Sequence, residues 1–376
     1  MDIKKNYFKM SKDEFESYIN CLKSSDNAIF LFKNKYFFVP TIEIINLVAT
    51  LHTKMFELDS LVNSFSNFAK KQIVQSFLID EIETTNKIEN INSTRHDIFS
   101  IISKAASSKD KKIIFISNAY ASLLKTNGIK IENLSDIRKS YEEVLNGAIE
   151  KNDLPDGIYF RKGPVFISNG IRPIHIGISG KTNINESMEE FIKLYNSKTE
   201  VFIKMILCHF IFEFTHPFYD GNGRFGRYLF SNGLYLETKS YFSLIIASSL
   251  NKEKGKYYKA LSLAEDRYEF GCVNTYVEAF INILLDGINS AIKDLTKKKE
   301  AINQNKPDSI LTKSEEMIYS LIVEASFLSL FGVSNEEIIE ETGVSKRTLI
   351  NTLNKLKAKE KLIDTKIGRI TYHKFN

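Results

Sequence analysis

The stretch HPFYDGNGRFGR, residues 216–227, sets one imidazole, one carboxylate, an asparagine between two glycines, and two guanidiniums within twelve positions. A hydrophobic core asks for no such mixture. Gly221 and Gly223 permit backbone angles that other residues resist, so successive N–H groups can converge into an anion-binding nest. A helix resuming at Arg224 would add its unpaired N–H groups and the positive end of its dipole. Arg224 and Arg227 are three apart, hence on one helical face, and can grip one polyphosphate from the same side. Asp220 offers a hard oxygen suited to Mg²⁺, and His216 a base for the proton of an attacking hydroxyl. Positioning, charge neutralisation and one base are what phosphoryl or nucleotidyl transfer requires. Taken singly, a histidine at a helix end, a Gly-Asn-Gly turn or two arginines at this spacing are commonly structural. Their contiguity behind an apolar helix, VFIKMILCHFIFEF (201–214), favours chemistry.

The pattern His-x-Phe-x-Asp-Gly-Asn-Gly-Arg-x-x-Arg resembles the full signature of the Fic family without a departure, and HFIFEFTHPF resembles the family's lead-in helix. The resemblance spans roughly residues 40–292. It implies a mainly α fold: an all-helical catalytic core with a short β-hairpin flap. It also implies an adenylyltransferase, moving AMP from ATP to a hydroxyl of a target protein. On that pattern His216 is the base and Asp220 holds Mg²⁺ against the α- and β-phosphates. Gly221, Asn222 and Gly223 line the anion hole, and Arg224 and Arg227 hold the outer phosphates. The related Doc toxins carry Lys at the position of Gly223 and transfer the γ-phosphate; glycine leaves the nest open and favours AMP transfer.

Upstream, TNKIEN (85–90) resembles the family's inhibitory motif, Ser/Thr-x-x-x-Glu-Gly/Asn. Thr85 and Glu89 are four apart, on one helix face, within a helix expected around 78–91. By the resemblance Glu89 pairs with Arg227, with Asn90 closing the motif, and ATP then binds in a non-productive pose. In some relatives the same glutamate aligns a water that removes AMP, so removal is the second reading. A DNA-binding regulator whose core only senses nucleotide is the third, and the intact His216 argues against it. Ile174, His175 and Ile176 fall where the family has its flap, which aims a target hydroxyl by strand addition. The consecutive prolines many relatives carry after it are missing. Tyr257 and Tyr258 resemble the tyrosine pair at the adenine pocket, although Glu265 stands where some relatives have Asn.

Helical spacing and turn residues set out the elements that must position these groups. AIFLF and KYFFV read as a small hairpin about Lys33-Asn34. Helical spacing runs from Thr41 to about Gln75, and residues 76–98 read as one helix and then a second that starts at Ser93. Residues 113–149 are helical, 157–180 read as a hairpin or flap, and helices resume near Ser187 and run to Ile292. The lysine-rich segment 293–312, with Pro307, reads as a join between domains. The expected division is 1–110 with the inhibitory helix, 111–292 as the catalytic core, 293–312 as linker, and 313–376 as a winged helix-turn-helix.

That tail concentrates basic residues over 345–376, among them Lys346, Arg347, Lys366 and Arg369, after an acidic helix with Glu336, Glu337, Glu340 and Glu341. Such asymmetry suits DNA, with docking to a protein as the alternative. Elsewhere the charge is unremarkable, 51 Lys and Arg against 46 Asp and Glu. It does not by itself argue for nucleic acid or membrane. The three cysteines, Cys21, Cys208 and Cys272, form no CxxC or zinc spacing, which points to a reducing, cytoplasmic setting. The start lacks an apolar run fit for a signal peptide. The expected partners are ATP, Mg²⁺, a target protein or the chain itself, DNA through the tail, and a second copy as a homodimer. No membrane is expected.

Overall fold

The computed structural model describes residues 3–103, 111–145, 147–168, 173–305, 307, 311–358 and 362–375. Two helices, α1 (Ile3–Lys9) and α2 (Lys12–Lys23), lead into the expected hairpin, β1 (Ile29–Leu31) antiparallel to β2 (Tyr36–Phe38). Phe32, Lys33 and Asn34 all turn through positive φ between its strands. The helical run expected from Thr41 is two helices, α3 (Ile42–Asn63) and α4 (Asn67–Ile88). Ser66 separates them as an N-cap, its side chain accepting from the Ala69 N–H. Next comes α5 (Arg95–Ile102). Its cap is Thr94 rather than the expected Ser93: the Thr94 hydroxyl takes the Asp97 N–H, while the Ser93 hydroxyl accepts from Asn86 Nδ2.

The middle of the chain holds α6 (Lys111–Thr126), α7 (Leu134–Leu145), the pair β3 (Phe166–Ser168) and β4 (Pro173–Ile176), α8 (Lys181–Tyr195), α9 (Val201–Thr215) and α10 (Asn222–Thr238). The expected boundary at residue 110 lies outside the described residues. Helix α9 is apolar all round and buried along Val201–Phe212, as a helix at the centre of a core must be. Even Lys204 is enclosed there, its ammonium meeting Glu237 and the Ser197 carbonyl. Helices α8 and α10 pack on α9. Then follow α11 (Ile246–Lys252), α12 (Lys254–Ala264) and α13 (Asn274–Gln304), the last lying along α3.

Helix α13 corrects one expectation. Residues 293–304, read as a polar join, continue the helix because lysine is a good helix former and Leu295 and Ile302 keep an apolar stripe inward. The C-terminal part contains α14 (Lys313–Leu328), β5 (Val333–Ser334), α15 (Asn335–Thr342), α16 (Lys346–Ala358), β6 (Leu362–Ile367) and β7 (Ile370–Phe375). Its strands form an antiparallel sheet in the order β5-β7-β6. Ile318, Ile322, Ile338, Leu349 and Leu353 make its core, joined by Phe68 from the start of α4. Helix α4 therefore begins against the tail's core and ends, about 33 Å further on, at Glu89. Midway, the buried Glu81 accepts the N–H groups of Ala247 and Ser248 and fixes α4 to the start of α11. Among the described residues no helix is long and apolar enough to cross a membrane.

Candidate nucleotide-binding and catalytic site

His216 caps α9 in the left-handed conformation, φ 50° and ψ 62°, so the chain turns sharply where the imidazole emerges. Its N–H still bonds to the Phe212 carbonyl at 2.9 Å, and its Nδ1 lies 3.3 Å from the Glu213 carbonyl oxygen. The loop to α10 is rigidly held. Phe218 is fully buried and stacks on Tyr141 with ring centres 3.7 Å apart. The Tyr141 hydroxyl donates to the Asp220 carbonyl at 2.9 Å. Asn222 closes the loop, its amide donating to the Phe218 carbonyl and accepting the Phe218 N–H. Its side chain is thus spent on the backbone, and only its main chain can line an anion hole.

The two glycines are needed for different reasons. Gly221 has φ +78°, and a Cβ there would also meet Leu145 at 2.4 Å. Gly223 lies within α10, which starts at Asn222 rather than Arg224 as expected. A Cβ at 223 would sit 2.1 Å from Glu89 Oε1, the far end of a flexible side chain, so a larger residue there would displace that carboxylate.

Arg224 and Arg227 are each only 1% exposed. Arg224 reaches back to Asp220, with Nη2 3.4 Å from Oδ2, while its Nε and Nη1 are buried without a hydrogen-bond partner among the described residues. Burial pulls the Arg224 guanidinium below its ordinary pKa, and Arg227 adds to the effect against Asp220 and Glu89. A buried donor left without an acceptor is costly, and here two lie at the start of a helix, where an anion is favoured.

Arg227 faces the other way. Its Nε donates to Thr85 Oγ1 at 2.8 Å, and its Nη2 to the Thr85 carbonyl at 3.1 Å and to Glu89 Oε1 at 2.7 Å. The structure thus brings TNKIEN and the second arginine together across 138 residues. Burial alone would raise the Glu89 carboxyl, but Arg227 foremost, then Arg224 and His216, hold it below the usual carboxylate range. Glu89 is the C-cap of α4, and Asn90 leaves the helix in the left-handed region at φ 57°. Asparagine tolerates that conformation, which accounts for an Asn after the glutamate.

The remaining candidates divide. Strand β4 pairs with β3 in the register Phe166↔Ile176 and Ile167↔His175. Ile176 is exposed, the side chains of Ile174 and His175 lie outside the described residues, and so do residues 169–172 of the hairpin. Immediately after the strand, Gly177 packs where a Cβ would lie 3.1 Å from the His216 Cβ, and the Ile178 N–H bonds to the Thr215 carbonyl. Tyr257 is buried, its hydroxyl 2.9 Å from His209 Nε2. Tyr258 is the tyrosine of the pair that reaches the surface, 39% exposed.

Sequence reading missed the residue that ties these parts together. Arg161 is buried and donates to four carbonyls: His216 at 2.7 Å, Gly163 at 2.6 Å, Ile178 at 2.8 Å and Thr215 at 3.1 Å. One guanidinium, with its donors in a fixed fork, thereby joins the end of α9 to the base of the flap. Tyr219 adds a second tie, accepting the Gly163 N–H and donating to Asp156.

Residues 133–234 match the family model described as the Fic/DOC family. Among solved structures the chain is similar to a Fic family protein from Desulfovibrio desulfuricans G20, at 18% identity and a TM-score of 0.54, over 90% of this chain and 97% of that one. It is also similar to residues 134–508 of Fic-1 from C. elegans, at 15% identity and a TM-score of 0.48, over 68% and 73%. A Fic domain containing signaling protein from Bacteroides thetaiotaomicron VPI-5482 gives 15% and 0.48, over 67% and 97%. Residues 133–234 of this chain are a Fic/DOC-family domain, set in a mainly α fold.

Proposed function

We propose that the chain is an autoinhibited protein adenylyltransferase, transferring AMP from ATP to a Ser, Thr or Tyr hydroxyl of a target protein or of itself. The observation that carries this reading is the Arg224 guanidinium, buried with two donors unpaired at the start of α10. The triphosphate of ATP supplies the missing acceptors, and the N–H groups of Asn222 and Gly223 lie at the same helix start, beside that of Gly221, which Asp220 Oδ1 accepts at 2.6 Å. His216 takes the proton as the hydroxyl oxygen bonds to the α-phosphorus; the bond from that phosphorus to the bridging oxygen breaks and pyrophosphate leaves.

The donor set fits Mg²⁺. Asp220 has a half-exposed carboxylate, and magnesium is usually held by one or two carboxylates with phosphate and water completing its shell. Among the described residues no group of three His, Cys, Asp or Glu could hold a metal alone, so the ion would enter with the nucleotide. Bound there, Mg²⁺ supplies charge neutralisation to the phosphates.

Glu89 on Arg227 is the brake: it occupies the partner of the outer phosphate and repels that phosphate. Removal of AMP is the second reading, favoured by the Glu89 carboxylate being one-third exposed beside the cradle, where it could orient a water. The Glu89→Gly protein, incubated with cell lysate and either α- or γ-labelled ATP, should label protein from the α position alone. Labelling from the γ position would replace AMP transfer with phosphoryl transfer.

The proposed division is 1–110, a core from 111 that runs on through α13 to Gln304, and 313–376 as a winged helix-turn-helix with α16 its recognition helix. Among its described residues two cations are engaged, Lys355 by Glu315 and Lys357 by Asp364. Lys346 and Arg347 open α16, and Lys366 and Arg369 flank the β6–β7 turn, leaving a smaller basic face for DNA than the sequence suggests. The full chain should shift duplex DNA at low salt and lose it steeply as salt rises. No shift at low salt would favour protein docking.

A further inference from the structure

Glu89 can sit 2.7 Å from Arg227 only if the last turn of α4 ends in one place. Three holds act on that turn. Arg227 grips Thr85 twice, and Ile88 is buried at 3% exposure. The third is Lys254, at the first position of α12, whose Nζ donates to the Ile88 carbonyl at 3.0 Å. The last four carbonyls of a helix have no partner within it, and a cation there also meets the negative end of the helix dipole. Beyond Ile88 the chain folds back on the same turn, the Glu89 and Ile91 N–H groups reaching the Asn86 carbonyl and the Asn90 N–H the Lys87 carbonyl, while Lys254 takes the Ile88 carbonyl.

Lys254 also neighbours Tyr258, with its ammonium 5.8 Å from that ring centre, one helical turn along α12.

We infer that Lys254 is a positioning residue for the inhibitory contact: by holding the Ile88 carbonyl it fixes the last turn of α4 with Glu89 on Arg227. The inference rests on the autoinhibited reading above. Loss of the ammonium frees the helix end, Glu89 leaves Arg227 for part of the time, and the outer phosphate gains its partner. Lys254→Arg keeps a donor and keeps the brake.

The test compares the full-length wild type, Lys254→Met, Lys254→Arg, Glu89→Gly and the Lys254→Met/Glu89→Gly double variant, by initial rates of label transfer from α-labelled ATP. Lys254→Met should run several-fold faster than wild type and Lys254→Arg close to it. The double variant should match Glu89→Gly within about twofold, because a latch has nothing left to hold once the carboxylate is gone. Wild-type rates in Lys254→Met beside an activated Glu89→Gly would overturn the latch alone. A double variant much slower than Glu89→Gly would assign Lys254 to nucleotide binding instead. Failure of Glu89→Gly itself to rise would strike the autoinhibited reading, not the lysine. Amide exchange over residues 85–91 gives a readout independent of turnover: it should quicken in Lys254→Met, and unchanged protection would overturn the inference.

Discussion

Glu89→Gly should raise AMP transfer by about tenfold or more, equivalent to some 1.4 kcal/mol of restored productive binding. The variant removes the acceptor that holds Arg227 Nη2 at 2.7 Å and leaves Thr85 to keep the guanidinium oriented. It also clears the space in front of Gly223, where Glu89 Oε1 now stands 2.1 Å from the position of a Cβ. The gain should appear mainly in kcat/KM for Mg²⁺-ATP, since the outer phosphate recovers a partner before chemistry begins. The pH dependence has a definite sign. The Glu89 carboxyl is held below the usual carboxylate range, so the ion pair contributes above that range and is lost only as pH falls through the lowered value. The ratio of variant to wild-type rate should therefore stay flat between about pH 6 and 9. A ratio of one throughout, measured with α-labelled ATP, would remove the brake from the account.

This contact also marks the limit of what the sequence discloses. The 216–227 motif was legible because its parts are contiguous and two of its neighbours, Gly221 and Asn222, define a turn by their types alone. Thr85 and Glu89 were legible as a helical pair, but their pairing with Arg227 came from the family pattern, since nothing in local spacing joins residues 138 apart. Arg161 was invisible for a physical reason: its four acceptors are main-chain carbonyls, which carry no side-chain signature. Lys254 and Glu81 escaped in the same way, one holding a carbonyl and the other two N–H groups. The tyrosine pair came from the family resemblance, and α12 separates its members: Tyr257 turns inward to His209, and Tyr258 is the half-exposed one. The β1–β2 hairpin and α9 were read well, the one from its turn residues and the other from its apolar run. Helix placement was read badly where a lysine-rich helix resembled a linker, as over 293–304.

His216→Ala, made in the Glu89→Gly background, should abolish measurable transfer, a loss of at least about 10²-fold, the low end of what a general base supplies. The background matters because the braked wild type has little activity to lose. Alanine at this position does two things. It removes the base, and it also leaves φ 50°, a left-handed conformation that costs an L residue about 1–2 kcal/mol, without the polar side chain that histidine has there. A lower melting temperature could then be mistaken for a lost base. His216→Asn separates the two effects, because asparagine accepts left-handed backbone more readily and still lacks a group to take the proton. Both variants should lose transfer equally, while the asparagine form should melt nearer the parent. Nucleotide affinity should survive in both, since Arg224 and the start of α10 do not depend on the imidazole: the loop is held by Asn222, Tyr141 and Arg161. Retained binding with no label transferred assigns the imidazole to the proton. Label transfer by His216→Asn at a rate near its parent's would instead make the histidine a hinge of the α9–α10 turn, and the base would have to be sought elsewhere in the cleft.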